Sequence, residues 1–156
     1  MSGRWGVLLA LALALPADAA AQRGGGFGGL SAGPRVGRDF ENKAWTVGAQ
    51  LSAPLGERLE LRPNGDLLFP RGEGMGWQVN GDAAIRFGQG GGLYAGGGVA
   101  LVRFHDDADT ENGYNLFFGL STAAPQERTK GFFEFRWTFV DDTSPFRLAL
   151  GFLYRL

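Results

Sequence analysis

The segment Trp45-Thr46-Val47-Gly48-Ala49-Gln50-Leu51-Ser52-Ala53-Pro54-Leu55 alternates without a break. Trp45, Val47, Ala49, Leu51, Ala53 and Leu55 share one face, and Thr46, Gly48, Gln50 and Ser52 share the other. A two-residue period marks a β-strand, because successive side chains point to opposite faces of a sheet. Trp77 to Phe87 repeats the pattern, with Trp77, Val79, Gly81, Ala83, Ile85 and Phe87 set against Gln78, Asn80, Asp82, Ala84 and Arg86. Phe133, Phe135, Trp137 and Phe139 oppose Glu134, Arg136 and Thr138, and Tyr114, Leu116, Phe118 and Leu120 oppose Asn115, Phe117, Gly119 and Ser121. The last run sets Phe146, Leu148, Leu150, Phe152, Tyr154 and Leu156 against Arg147, Ala149, Gly151, Leu153 and Arg155. Such runs outlast the usual strand of about 5–6 residues. They match the roughly 9–11 residues of a strand tilted across a bilayer.

Composition narrows the reading further. The 156 residues include 27 glycines, more than twice the average usage of about 7%, beside 13 phenylalanines. Abundant turns and aromatics suit an all-β protein and exclude a disordered chain, which is poor in aromatics. Without cysteine, disulfides, thiolate zinc sites and thiol catalysis are excluded. A single histidine, His105, excludes multi-histidine metal motifs. Fifteen basic residues against 16 acidic ones leave no basic footprint for nucleic acid.

The alternation predicts eight strands near 26–34, 44–55, 58–69, 76–88, 92–104, 113–123, 130–140 and 146–156. An even number places both chain ends on one side. Charged, longer connections are expected at 34–44, 69–75, 105–113 and 140–146, alternating with shorter links at 55–58, 88–92 and 124–130, as in an outer-membrane up-and-down barrel. Pro63-Asn64-Gly65-Asp66 alone would make a hairpin turn, but Leu59, Leu61, Leu67 and Phe69 keep one parity across it. One strand with a kink or bulge at Pro63 is therefore expected. The facing of strand 92–104 is left open, since Leu93, Ala95, Val99 and Leu101 and Tyr94, Ala100, Val102 and Phe104 are both apolar sets.

Which face meets which solvent follows from side-chain size. The polar faces mix glycine, alanine and serine with Glu60, Arg62, Asp82, Arg86, Glu134 and Arg136. An eight-stranded barrel has an interior that side chains just fill, and charges buried there must pair. These six residues are expected to form a lumen network, with the aromatic faces turned to lipid. Trp45, Phe69, Trp77, Phe104, Tyr114 and Phe146 would then form an outer girdle, and Phe87, Tyr94, Phe132 and Tyr154 an inner one. The competing reading is a soluble β-barrel or sandwich with the aromatics inside.

Residues 1–21 read as a cleavable signal peptide: Arg4, an uncharged run from Val7 to Leu15, Pro16, and Ala19-Ala20-Ala21 before Gln22. Ala17-Asp18-Ala19 is a nearby alternative cleavage site. The run is too short to span a bilayer. Residues 22–156 would be the exported domain.

With this leader, these strand lengths and this closing segment, the chain resembles the small outer-membrane β-barrels of Gram-negative-type bacteria, including the membrane domain of outer membrane protein A and its short single-domain relatives. The resemblance covers roughly residues 26–156 and rests on pattern. In that family the last strand carries an assembly signal of alternating apolar residues ending in an aromatic; Leu148, Leu150, Phe152, Tyr154 and Leu156 fit, with leucine at the end. The resemblance implies a monomer in the cell outer membrane that meets lipid and lipopolysaccharide and is inserted by the barrel assembly machinery. No peptidoglycan-binding domain is expected to follow.

Motifs that carry chemistry are few. His105 before Asp106 and Asp107 could be an oriented base. The His-x-Ser pair of barrels that deacylate lipid A has Asp107 in place of serine, and only Ser144 on a neighbouring loop could substitute. The run Asp106 to Gly113 is dense in acids but fails the EF-hand spacing, with Asn112 and Phe118 at positions six and twelve counted from Asp107. Gly24-Gly25-Gly26-Phe27-Gly28-Gly29 matches G-x-G-x-x-G without the strand and helix that a dinucleotide fingerprint needs. No catalytic, cofactor-binding or metal-binding residue is assigned, and no cofactor or nucleic-acid partner. The reading is a non-enzymatic outer-membrane barrel acting through its charged outer loops. A narrow transport or ligand-binding barrel, a lipid-modifying enzyme and a soluble periplasmic lipid-binding barrel are its alternatives.

Overall fold

A computed structural model describes residues 29–72, 74–87, 92–122, 128–141 and 143–156. The leader at 1–21, most of the glycine motif at 24–29 and most of the links at 88–92 and 124–130 lie outside them. Nine strands follow in order: β1 Ser31–Asp39, β2 Ala44–Pro54, β3 Leu59–Leu61, β4 Asn64–Phe69, β5 Gly76–Phe87, β6 Leu93–Arg103, β7 Glu111–Ser121, β8 Thr129–Val140 and β9 Phe146–Arg155. All neighbours are antiparallel, and β9 pairs back onto β1, so the sheet closes. β3 and β4 both lie between β2 and β5 and form one stave. The result is an all-β, eight-stave antiparallel up-and-down barrel, as the alternation predicts.

The registers fix its dimensions. From Gly33 the pairing runs through Gln50, Asn64, Asn80, Ala100, Gly113 and Val140 to Thr143. The β9–β1 register, set by Asp39 opposite Arg147, returns this path to β1 at Lys43, ten residues beyond its start. A stagger of ten over eight staves gives a strand tilt of about 40° and a backbone diameter of about 16 Å.

The proline stave holds one strand without a bulge. The register of β2 is the same before and after Pro63, since Ala53 faces Leu61 and Gln50 faces Asn64. Pro63 accepts from the Leu51 amide at 2.9 Å and the Arg62 amide donates to Asp82 at 2.8 Å. The ladder therefore loses only the hydrogen bond that proline cannot donate.

Three expectations need correction. The first strand is not at 26–34 but at Ser31–Asp39, and the connection expected at 34–44 is a turn at 40–43. Its outward residues, Ala32, Pro34, Val36 and Arg38, include a proline and a charge, which mask the period. Connection length also does not alternate. The gaps 40–43, 70–75, 104–110 and 141–145 at one end are much like 55–58, 88–92 and 122–128 at the other, so only their charge distinguishes the ends. Finally, Tyr94 and Phe132 do not belong to an inner girdle; both are buried inside the barrel.

Those two rings, with Phe117, account for part of the glycine content. Tyr94 faces Gly119, Phe117 faces Gly96 and Phe132 faces Gly151 as direct cross-strand partners. A Cβ on any of these glycines would come within 2.6 Å of the facing ring. Glycine leaves the space into which the ring folds. The same pairs settle the facing of β6: Tyr94, Ala100 and Val102 point inward, while Leu93 and Val99 point outward.

Candidate functional site

Burial is inverted relative to a water-soluble protein. Gln78, Glu134 and Arg136 are 0% exposed, whereas Leu116 is 53%, Val99 55% and Phe152 64% exposed. Charged side chains are almost never fully buried unless paired, and large contiguous apolar surfaces mark contact with a partner or a membrane. The outer surface of β7 to β9 is sheathed in rings, with Phe118 stacked 4.8 Å from Phe135, Tyr114 stacked 4.9 Å from Phe139 and Trp137 tilted 4.9 Å from Phe146.

On the inner face, five guanidiniums and five carboxylates form one network. Toward the end bearing the 40–43 and 70–75 turns, Arg147 on β9 reaches Asp66 at 3.1 Å, Asp39 at 3.3 Å and the Gln78 carbonyl oxygen at 3.0 Å. Asp66 is shared with Arg35 of β1, whose Nε lies 3.2 Å away and whose Nη1 donates to Gln50 at 3.0 Å. Arg35 continues to Glu134 at 3.6 Å.

Glu134 is the hub. Its Oε1 accepts from Arg136 Nη2 at 2.8 Å and Nε at 3.1 Å, and its Oε2 lies 3.4 Å from Arg62 Nη1 and accepts from the Tyr94 hydroxyl at 3.2 Å. Arg136 also binds Asp82 at 2.7 Å. Arg62 stacks over the Tyr94 ring at 4.0 Å and lies 3.5 Å from Glu60. Glu60 then takes hydrogen bonds from Ser52 and Arg86. Neutral amides fill the space alongside: Asn80 donates to Asn64 at 2.7 Å, and Asn115 to Asn80 at 2.8 Å. Charge-assisted bonds of this kind are the strong class of hydrogen bond.

All six residues expected in the lumen, Glu60, Arg62, Asp82, Arg86, Glu134 and Arg136, meet in this network. Arg35, Asp39, Asp66, Arg147 and Tyr94 are members that sequence reasoning missed. Arg35 and Asp39 read as loop charges because their strand was displaced. Asp66 sat in the apparent Pro63 turn, and Tyr94 in a strand of ambiguous facing. Arg147 was legible from its parity, which places it with Ala149 and Gly151.

The other candidates are not drawn together. The His105 carbonyl closes a turn by accepting from the Ala108 amide at 3.0 Å. Among the described residues its ring has no hydrogen bond to Ser144 or to a carboxylate, and no group of three acids or histidines is placed to hold a metal. Asp106 packs against Gly74, so the 70–75 and 104–110 connections touch.

No protein-family model and no curated protein matches the chain. Solved structures do. The N-terminal β-barrel domain of Pseudomonas aeruginosa OprF superposes with a TM-score of 0.69 at 18% identity, covering 85% of this chain and all of that domain. Neisserial surface protein A gives 0.60 at 12%, covering 81% and 94%. A de novo designed transmembrane β-barrel gives 0.55 at 12%, covering 83% and 97%. The agreement lies in the fold, since the identities are low. With an apolar exterior, a charged interior and these structural counterparts, the chain has the fold of the small eight-stranded outer-membrane β-barrels.

Proposed function

We propose that the protein is a non-enzymatic integral barrel of the outer membrane whose lumen is plugged and whose acidic loops meet the cell exterior. The observation that carries this reading is the continuity of the ion-pair network from Asp39 to Arg86, in which five arginines and five carboxylates interlink along the bore. Opening a path for solutes would separate several of these pairs. An orphaned charge in such surroundings costs about 3–5 kcal/mol.

In this reading residues 1–21 direct export, β9 is the segment read by the assembly machinery, and the barrel is a monomer without cofactor or nucleic acid. Acids concentrate in the 104–110 and 141–145 connections and at Glu111, which suits a surface held by divalent cations against lipopolysaccharide.

Planar-bilayer recording tests the plug. The purified barrel should add no steady conductance above the bare membrane. A sustained open level in every insertion would replace this reading with the transport one.

A further inference from the structure

We propose that the outer rim of β1, β2 and β4 holds the phosphorylated headgroup of an outer-leaflet lipid, with one of its acyl chains lying in the depression beneath. This rests on the proposed outer-membrane orientation.

Each of the five guanidiniums in the lumen network has a carboxylate, but the rim cations of this sector have none among the described residues. Among the described residues, Arg38, Lys43 and Arg71 make no ion pair, and Arg38 Nη1 is closed off without an acceptor. Arg38 faces outward in the lipid-facing wall, opposite Trp45, with its guanidinium 5.2 Å from that ring. Trp45 in turn faces Phe69. Lys43 and Arg71 lie in the two turns that adjoin these strand ends, two residues beyond Trp45 and Phe69. Arg38 thus caps an aromatic pair at the rim, with two further cations in the adjoining turns, where Trp and phosphate-binding cations belong. The carboxylates in the two turns are Glu41 and Glu73. On the β7–β9 side, the 141–145 connection holds no cation.

The surface below is also different here. Ala32, Ala49, Leu51, Pro63, Gly65 and Val79 line a depression of about 410 Å³. Ala49 lies four residues from Trp45, and Ala32 six from Arg38, which at this tilt is about 10–15 Å down the wall. That is the half-thickness of a hydrocarbon core of about 30 Å, so an acyl chain hanging from a phosphate held at Arg38 reaches the depression. Elsewhere, on β7–β9, the same depth is filled by rings.

Native mass spectrometry of the protein extracted in mild detergent, offered lipid A or its dephosphorylated form, is the test. One lipid A should be retained per barrel, and the dephosphorylated form should be retained about tenfold less. Arg38→Gln and Lys43→Asn should each lower lipid A retention by about fivefold, the worth of one cation near a charged surface. Arg58→Gln, at the opposite rim, should not. Gly65→Leu should also lower retention, by filling the depression. A Cβ there comes no closer than 3.7 Å to any atom, so the barrel tolerates it. Lys43 lies in an exposed turn with φ of 50°, where asparagine is accommodated, so this variant keeps the test alive should Arg38→Gln not fold.

Equal retention of the two lipids, or equal retention by the Lys43 and Arg58 variants, would overturn the site. Displacement of lipid A by millimolar inorganic phosphate would reduce it to a bare anion site and overturn the acyl-chain contact. Heat-modifiable gel migration of each variant reports the barrel separately. A folded barrel without lipid selectivity therefore defeats this inference alone, whereas a chain that never inserts defeats the reading on which it rests.

Discussion

Arg147 on the last strand places a guanidinium nitrogen 3.3 Å from the Asp39 carboxylate on the first, across 108 residues of sequence. The two are also register partners in the β1–β9 ladder. One ion pair therefore sits on the seam that turns an open sheet into a closed barrel, and closure removes the unpaired edges that a membrane does not tolerate.

Arg147→Gln should destabilise the barrel by about 3–5 kcal/mol, because it orphans Asp39 and leaves Asp66 with Arg35 alone. Urea unfolding in lipid vesicles reads this directly. Asp39→Asn should cost less, since Arg147 keeps Asp66. The double variant should fall short of the summed losses, as expected for a coupled pair.

Glu134 serves three guanidiniums and the Tyr94 hydroxyl, so Glu134→Ala should be the most damaging single change in the lumen, at about 3–5 kcal/mol. Tyr94→Phe removes one hydrogen bond to the hub and should cost about 1–2 kcal/mol. If Glu134→Ala unfolds at the wild-type midpoint, the hub assignment is wrong.

Filling an inward glycine should fail for a steric reason that a charge change cannot mimic. Gly119→Val drives a side chain into the Tyr94 ring and the Phe133 carbonyl. It should cost about 1–3 kcal/mol or more. Gly65→Ala, whose Cβ faces outward and meets its nearest atoms at 3.7 Å and 3.9 Å, should be nearly neutral in the same assay.

The apolar face is tested at mid-wall. Phe135→Arg should cost about 2–4 kcal/mol, and an arginine at the rim position Tyr154 about 0–1 kcal/mol. Fluorophores at Ala83 and Phe135 should be quenched by lipid-borne quenchers, and those at Asp82 and Glu134 should not. The opposite pattern would turn the barrel inside out.

Orientation has its own readout. An epitope inserted at Asp109 should bind antibody on intact cells, and one inserted at Arg58 only after the outer membrane is opened. Because connection length does not separate the two ends, the inverse result would invert the topology without altering the fold.

The local code in this chain is the two-residue period, and it carries most of the architecture. Trp45 to Leu55, Trp77 to Phe87 and the last two strands declare their faces because bulky apolar and small or charged residues alternate along them. Strand number, the intact stave through Pro63 and six of the ten charges in the lumen network followed from parity alone. Parity failed where one face lost its contrast. β1 has Pro34 and Arg38 outside and glycines inside, and β6 is apolar on both faces. Register belongs to another level, because pairing Arg147 with Asp39, or Arg35 with Glu134, depends on a ten-residue stagger accumulated over eight ladders. No local stretch encodes that sum. It is decided when the barrel closes, and closure chooses which buried charges meet across the bore.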